Sequence, residues 1–376
     1  MQTLSRERAV LERYMPGLDT QLAAVAFDVL EAPGSPAIAM YRAAGGAGLL
    51  IPRVHGGSGA TAVEAVRLTR ALAARSPSLA VATTMHQFSV ASLVAVAQSS
   101  TGPEWMMLDA VASDRRLMSS GFAEGRTSQG ILEPTMKGIW DGKNWRVSGR
   151  KQPCSLSRSM DMLTASVRLE HPQQGSRTAI ALIPAASPGL SVEPFWHAPV
   201  LGAAESDAVV LNDVEVHPDL IVELTAGVHG ELDDLQTLGF VWFELLVVAC
   251  YLGIAGALTE SVLTQGRGPV HERVGLATAY EAAALALDAV AGQLDAGDGG
   301  NDALARSLIV RFSVAETIRS TVARALELLG GMAFIGSSRV AYLAAASHAI
   351  GFHPPSRLSA AEALLGWFSG RPVILE

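Results

Sequence analysis

Cysteine is almost missing from this chain. Cys154 and Cys250 are its only two among 376 residues, too few for a disulfide framework, and the expected setting is a reducing cytoplasm. Charge is sparse as well, at 17% of residues with a net charge of −8. No Lys/Arg cluster or basic stripe interleaved with aromatics occurs, which argues against nucleic acid, because binding it needs cations to displace counterions. The opening MQTLSRERAVLERYM carries charges where an export signal needs an apolar stretch of roughly 7–15 residues, so no export is expected. The longest apolar run, Leu245–Leu258, falls short of the roughly 20 residues that cross a bilayer; it begins beside Glu244 and reads as a buried core helix, so no membrane partner is expected. G-x-G-x-x-G, the P-loop lysine, G-x-S-x-G and metal-ligand spacing are all missing, so neither a serine nucleophile nor a metal is expected.

What the chain does have is apolar mass: 49% hydrophobic residues and a positive mean hydropathy. One hydrophobic core stops growing at roughly 250–300 residues, so two or three packed units are expected. From Ser5 to about Gln98, Ala, Leu and Val recur at three- and four-residue spacing, the mark of several helices cut by Pro and Gly. GLLIPRVHGGSG, Gly48–Gly59, reads as a tight turn between two of them. A short helix ends near Ala112. Alternation then takes over along Lys137–Trp145 and Met160–Leu169, with the turn dipeptide Asp141-Gly142, and the pattern is a hairpin. Further strands are expected at Leu117–Phe122, Arg177–Ile183, Leu190–Pro194 and Ala208–Val216. After an acidic linker at Thr225–Asp234, helical spacing returns over Leu235–Gln265, His271–Leu294, Asn301–Leu329 and Ser359–Phe368. The expected architecture is α+β, in three units: an N-terminal helical domain over 1–113, a small β-barrel or sandwich over 114–222, and a C-terminal four-helix bundle over 223–376.

The segments GFAEG, DGKNWRVSGRK and CSLS, in that order and spacing, resemble the middle domain of the acyl-CoA dehydrogenases. Gly48–Gly59 resembles a turn of that family's N-terminal domain, and Leu201–Val222 the closing strand of its β domain. The family's two flavin-holding turns are Thr-Glu-Pro and Ile-Thr-Asn; here Ala123-Glu124-Gly125 and Cys154-Ser155-Leu156 stand in those places. The resemblance implies that Phe122, Ala123, Glu124, Cys154 and Ser155 hold FAD, with the Ser155 hydroxyl beside flavin N5. ELLGGMAF, Glu327–Phe334, resembles the Q-x-x-G-G-x-G-F turn that meets the FAD of a neighbouring subunit. Glu327, Gly330 and Gly331 are therefore expected at the cofactor, as is Arg267, the Arg nearest to the family's cofactor contact. Glu327 replaces a glutamine and would repel a pyrophosphate, which leaves FMN as the alternative. The family assembles as dimers or tetramers, and the same is implied here.

Oxidising an acyl thioester requires a base for the α-hydrogen opposite a hydride acceptor. The family's glutamate occupies one of two places. In the first, near the C-terminus, this chain has GFHPPS, Gly351–Ser356, and no glutamate. In the second, Phe243 stands at the family's position and Glu244 one residue later. Glu244 sits in GFVWFELLVVACYLG, where burial raises a carboxyl pKa toward that of a working base; the alternative is a paired structural glutamate. His86 and His353, with Ser155, resemble the polar lining of flavin monooxygenases that share the fold and lack the catalytic Glu. Cys154 is read as a redox thiol or as core filler, and Gln129 replaces the family's serine that holds the CoA arm.

The main expectation is thus a flavin-dependent dehydrogenase acting on an acyl thioester borne by CoA or a carrier protein and passing electrons to a partner, with Glu244 as base. The alternative of the same fold is a monooxygenase that takes reduced flavin from a partner reductase and uses His86 or His353 as acid or base. A third is a catalytically silent subunit paired with an active homologue.

Overall fold

A computed structural model describes residues 3–99, 104–125, 134–224 and 232–375. Four short helices, α1 (Ser5–Tyr14), α2 (Leu18–Ala24), α3 (Phe27–Glu31) and α4 (Ala37–Ala43), precede the longer α5 (Ala62–Arg75), α6 (Pro77–Ser99) and α7 (Glu104–Ser113). Strands follow as β1 (Met118–Gly121), β2 (Lys137–Trp140), β3 (Trp145–Cys154), β4 (Met162–His171), β5 (Gly175–Pro184), β6 (Leu190–Glu193), β7 (Asp207–Val216) and β8 (Ile221–Glu223). The chain then returns to helix as α8 (Asp234–Gln265), α9 (Val270–Asp295), α10 (Asn301–Leu329), α11 (Gly331–Gly336), α12 (Ser338–Ser347) and α13 (Ala361–Phe368). Helices, then strands, then helices is the α+β order read from the sequence. The two short helices α11 and α12 interrupt what was expected to be one connection.

Local chemistry accounts for the boundaries. Thr61 with Glu64 caps α5 and Asp233 with Gln236 caps α8, each pair reciprocally satisfying helix-start N–H groups. Asp141 accepts from the N–H groups of Lys143 and Asn144 and so closes the turn between β2 and β3. The alternation along Lys137–Trp145 therefore belongs to two strands, and the hairpin at Asp141-Gly142 joins β2 to β3 and not to the Met160–Leu169 segment expected as its second arm. β2 pairs antiparallel with β3 and parallel with β4, and β1 also runs parallel to β4.

The sheet, in the order β6-β7-β3-β2-β4-β5-β8, packs on both faces near its centre. Leu163, Ala165, Val167 and Leu169 on β4, with Ala179, Ala181 and Ile183 on β5, enclose the β core. The residues between them, Thr164, Ser166, Thr178, Ile180 and Leu182, face the opposite way, toward α6 and α8. Strand period makes this division.

Helix α8 is buried continuously from Glu244 to Thr259 and packs against α5, α6, α9, α10 and α12. It is the axis of the helical part. By length and composition alone, α6, α8 and α9 are each apolar enough to cross a membrane, with 67%, 72% and 39% of their most apolar windows buried inside the fold. The helices α6 and α8 thus spend most of that apolar surface inside the fold, on each other and, for α8, on α5 and α10. Close approach to α8 is made possible by glycine: a Cβ on Gly253 would lie 2.4 Å from the Arg70 carbonyl oxygen of α5.

Gly253→Ala must therefore push α5 off α8. The expected cost is roughly 1–3 kcal/mol, as for other overpacked cores, read from chemical denaturation; an unchanged midpoint would show that the two helices do not meet at this glycine.

Candidate active site

A cavity of about 340 Å³ opens where α6, the outer face of β4 and β5, and the first half of α8 converge, and the turn after α12 closes one end. Sites for small ligands span roughly 300–1,000 Å³. Its walls are mostly apolar. Phe88 and Phe243 pack edge to face with centroids 5.6 Å apart, and Phe122 lies 5.9 Å from Phe88.

Both turns assigned to the flavin open on this cavity. Phe122 and Ala123 form one rim and Ser155 another. Gln152 N donates to the Ala123 carbonyl at 3.0 Å, tying the first turn to β3. Ser155 Oγ lies 3.0 Å from Ser206 Oγ, and both line the space. Ser120, Thr164, Ser166 and Thr178 add neutral hydroxyls along the sheet wall. Aromatic walls for the faces of a planar ring and uncharged donors and acceptors for its edge suit an isoalloxazine, so the residues present fit the group.

The other residues assigned to the cofactor lie elsewhere. Glu124 turns away from the cavity and pairs with the buried Lys151, whose Nζ also donates to Ser166 Oγ at 3.0 Å. It braces the turn from beneath. Cys154 is fully buried in the β core and burial pushes its thiol up to about 12, so the strand period that presents Ser155 to the cavity makes Cys154 core filler. Arg267 and Glu327 are exposed at the far end of the bundle, Glu327 pairing with Arg324 at 2.7 Å. Gly330, between α10 and α11, and Gly331, the first residue of α11, lie at that same end. None of these four lines the cavity in this chain. Gln129 lies outside the described residues.

The three candidate acid–base groups part company. His86 does not reach the cavity: Nε2 donates to the Ala47 carbonyl at 2.9 Å and Nδ1 accepts from Met118 N–H at 3.0 Å. Both ring nitrogens are spent on backbone, which defines the tautomer and makes His86 a brace between the Gly46–Gly48 turn and β1. Burial pulls it down to about 4.

Glu244 does not reach the cavity either. It is fully buried, and its two oxygens accept from Arg311 Nη1 at 2.8 and 2.9 Å. Burial pushes its carboxyl up to about 7 while the guanidinium pulls the other way. This is the paired structural glutamate, not a base facing a ligand. Its neighbour Phe243 is the one that lines the cavity.

His353 does reach it. The imidazole is half-buried at the cavity end, edge-on to Phe243 with centroids 5.9 Å apart. Nε2 meets Tyr251 Oη at 2.8 Å, and Nδ1 has no protein partner among the described residues. Burial and the nearby Arg311 charge lower it to about 3, so the ring is neutral at any ordinary pH.

Tyr251 and Arg311 were not singled out from the sequence, although a signal was present. Arg311 lies on the apolar stripe Leu304, Leu308, Arg311, Ala315, Ile318 of α10, all five buried. A lone arginine on such a stripe demands a buried carboxylate, and Glu244 is one. Tyr251 follows Glu244 by seven residues, two helical turns along the same face.

No protein-family model matches the chain. The isobutylamine N-hydroxylase of Streptomyces viridifaciens is 46% identical over 376 residues, covering 99% of this chain and 100% of that protein. The putative acyl-CoA dehydrogenase YdbM of Bacillus subtilis is 28% identical over 232 residues, 59% of this chain and 56% of its own. Among solved structures, KijD3 in complex with FMN and an amino-keto sugar nucleotide superposes with a TM-score of 0.85 at 17% identity, over 97% of this chain and 94% of that one. XiaF from Streptomyces sp. in complex with FADH2 gives 0.78 at 18%, over 100% and 98%. The chain belongs to the acyl-CoA dehydrogenase-like flavin oxidoreductases, and its cofactor is a flavin.

His86 supplies a stability prediction. Its folded-state pKa lies below the ordinary 6.5, so the unfolded chain takes up the proton first as pH falls. The stabilisation is complete above pH 6.5 and is lost as pH drops toward 4, amounting to about 3 kcal/mol. Urea denaturation between pH 7 and 4 should show this loss, and His86→Gln should be less stable at pH 7 with a flatter profile; equal slopes for the two proteins would refute the assignment.

Proposed function

We propose that the protein is a flavin-dependent monooxygenase that N-hydroxylates a small aliphatic primary amine, with reduced flavin delivered by a separate reductase. The observation that carries this reading is the cavity wall: it presents His353 and Tyr251 and, among the described lining residues, no carboxylate. Abstraction of a thioester α-hydrogen needs such a carboxylate, and the one expected for it is bound to Arg311. The whole-length similarity to isobutylamine N-hydroxylase supports the same choice, so the dehydrogenase reading and its acyl thioester give way to the alternative drawn from the sequence. Relatives of this fold hold FMN or FADH2, so the flavin is not narrowed to FAD.

When bound in its reduced form, the flavin supplies two electrons and activates dioxygen, one oxygen atom going to the amine nitrogen and the other leaving as water. The chain's own residues prepare the amine. Only a neutral amine has the lone pair that accepts oxygen, and the aromatic walls of Phe88, Phe122 and Phe243 penalise an ammonium by withholding water. We assign the His353 proton to Nε2, which then donates to Tyr251 and leaves Nδ1 to accept an amine N–H, aiming the lone pair away from that wall. The hydroxyls of Ser155 and Ser206 offer neutral partners across the space. The apolar ends at α9 and α11, with Val270 66%, Met332 79% and Ile335 78% exposed, suit burial against a second copy, and we read the protein as a homo-oligomer.

The purified protein, supplied with reduced FMN or FAD and oxygen, should convert isobutylamine to its hydroxylamine, detected by mass spectrometry, while a panel of acyl thioesters leaves bound oxidised flavin unbleached. Bleaching by a thioester with no amine turnover would sink the reading. His353→Phe should lower kcat/KM by on the order of 100-fold, and Tyr251→Phe by about tenfold, the loss of one hydrogen bond.

A further inference from the structure

The buried pair behind the cavity wall is oriented toward a particular target. Arg311 Nη1 donates to both oxygens of Glu244 and, at 3.1 Å, to the Pro354 carbonyl. Nη2 donates to the His353 carbonyl and reaches the Ile350 carbonyl at 3.5 Å. Two helices need only one ion pair to be stapled together; here the guanidinium spends its remaining donors on three carbonyls of a single turn, the one that carries His353. Backbone carbonyls at the end of a short 3-10 turn have no ladder partner and must find donors. Arg311 is that donor.

The imidazole is thereby held at two points. Its own backbone carbonyl is bound by Arg311, and its Nε2 by Tyr251. Glu244 and Tyr251 stand two turns apart on α8, so one rigid helix sets both anchors, the first through Arg311 from α10. With carbonyl and Nε2 both engaged, the ring has no free rotation, and Nδ1 is the nitrogen left over. The charged and titratable groups around the ring are Tyr251 on α8 and Arg311 on α10, and Glu244 on α8 neutralises the latter.

We propose that Glu244 and Arg311 are positioning residues that act on the reaction through His353: their buried pair fixes the Ile350–Pro354 turn and so decides which imidazole nitrogen meets Tyr251 and which meets the substrate. Glu244, the residue expected to be the base, thus serves the chemistry without touching the substrate. The proposal rests on the reading of His353 as the group at the amine nitrogen, and its test includes one readout, the His353 tautomer, that does not depend on turnover.

The test uses three variants of the full chain: Glu244→Gln, Arg311→Lys, and the double variant Glu244→Leu with Arg311→Met. Replacing a buried pair by apolar residues of similar volume is commonly tolerated, so the double variant keeps the question open if the single ones do not fold. Nitrogen-15 and ring-carbon signals of His353 are recorded on the flavin-free protein, assigned by comparison with His353→Gln. In wild type they should report one neutral tautomer with the proton at Nε2. In every folded variant they should broaden or split into two tautomers, with kcat falling roughly 10- to 100-fold, the cost of misplaced reacting groups, and affinity for reduced flavin unchanged. His353 signals that superpose on wild type in a folded variant would overturn the proposal, as would losses of kcat accompanied by equal losses of flavin affinity. Full activity of His353→Gln would instead overturn the reading of the site, leaving the magnetic resonance result to judge the clamp.

Discussion

A carboxylate inside the most apolar helix of the chain has to be answered by a cation, and that requirement shapes the site. Leaving either partner of a buried pair alone costs about 3–5 kcal/mol, so Glu244 compels α10 to bring Arg311 against α8. Once there, the guanidinium has donors to spare, and the nearest acceptors are the carbonyls of the turn after α12. The end of the cavity is therefore built outward from an ion pair that the cavity never touches.

The opposite wall obeys a different constraint. Strands β4 and β5 have neighbours on both faces, so each must supply two kinds of surface in alternation. Leu163, Ala165 and Val167 fill the β core, while Thr164 and Ser166 present hydroxyls to the flavin-sized space. The same period separates Cys154 from Ser155, adjacent in sequence and opposite in role. Helix α6 closes that space from above, where Ser89 Oγ lies 3.2 Å from Thr164 Oγ1.

The two histidines compare the same side chain under two kinds of confinement. Burial keeps both neutral, pulling His86 to about 4 and His353 to about 3. At His86 two backbone groups occupy both nitrogens, so the ring can only brace. At His353 one nitrogen is held by Tyr251 and the other has no protein partner among the described residues. Chemistry is available at the second and not at the first because of which hydrogen bonds are already made.

Much of this was legible in the residues themselves. Period 3.6 and period 2 marked the helical and strand regions, Asp141-Gly142 the hairpin, and the segments around Ala123 and Ser155 the family and its flavin, because local geometry follows from local sequence. Glu244 was visible as an anomaly, and so in principle was Arg311 on its apolar stripe. What α8 and α10 did with them was not, since a buried charge announces only that it needs a partner. Whether that partner is a ligand or another side chain depends on which helices pack together. The placement of His353 at the cavity and His86 behind it was likewise decided by tertiary structure: a histidine's use is set by the groups that reach its two nitrogens, and those groups, Ala47, Met118 and Tyr251, lie 39, 32 and 102 residues away along the chain.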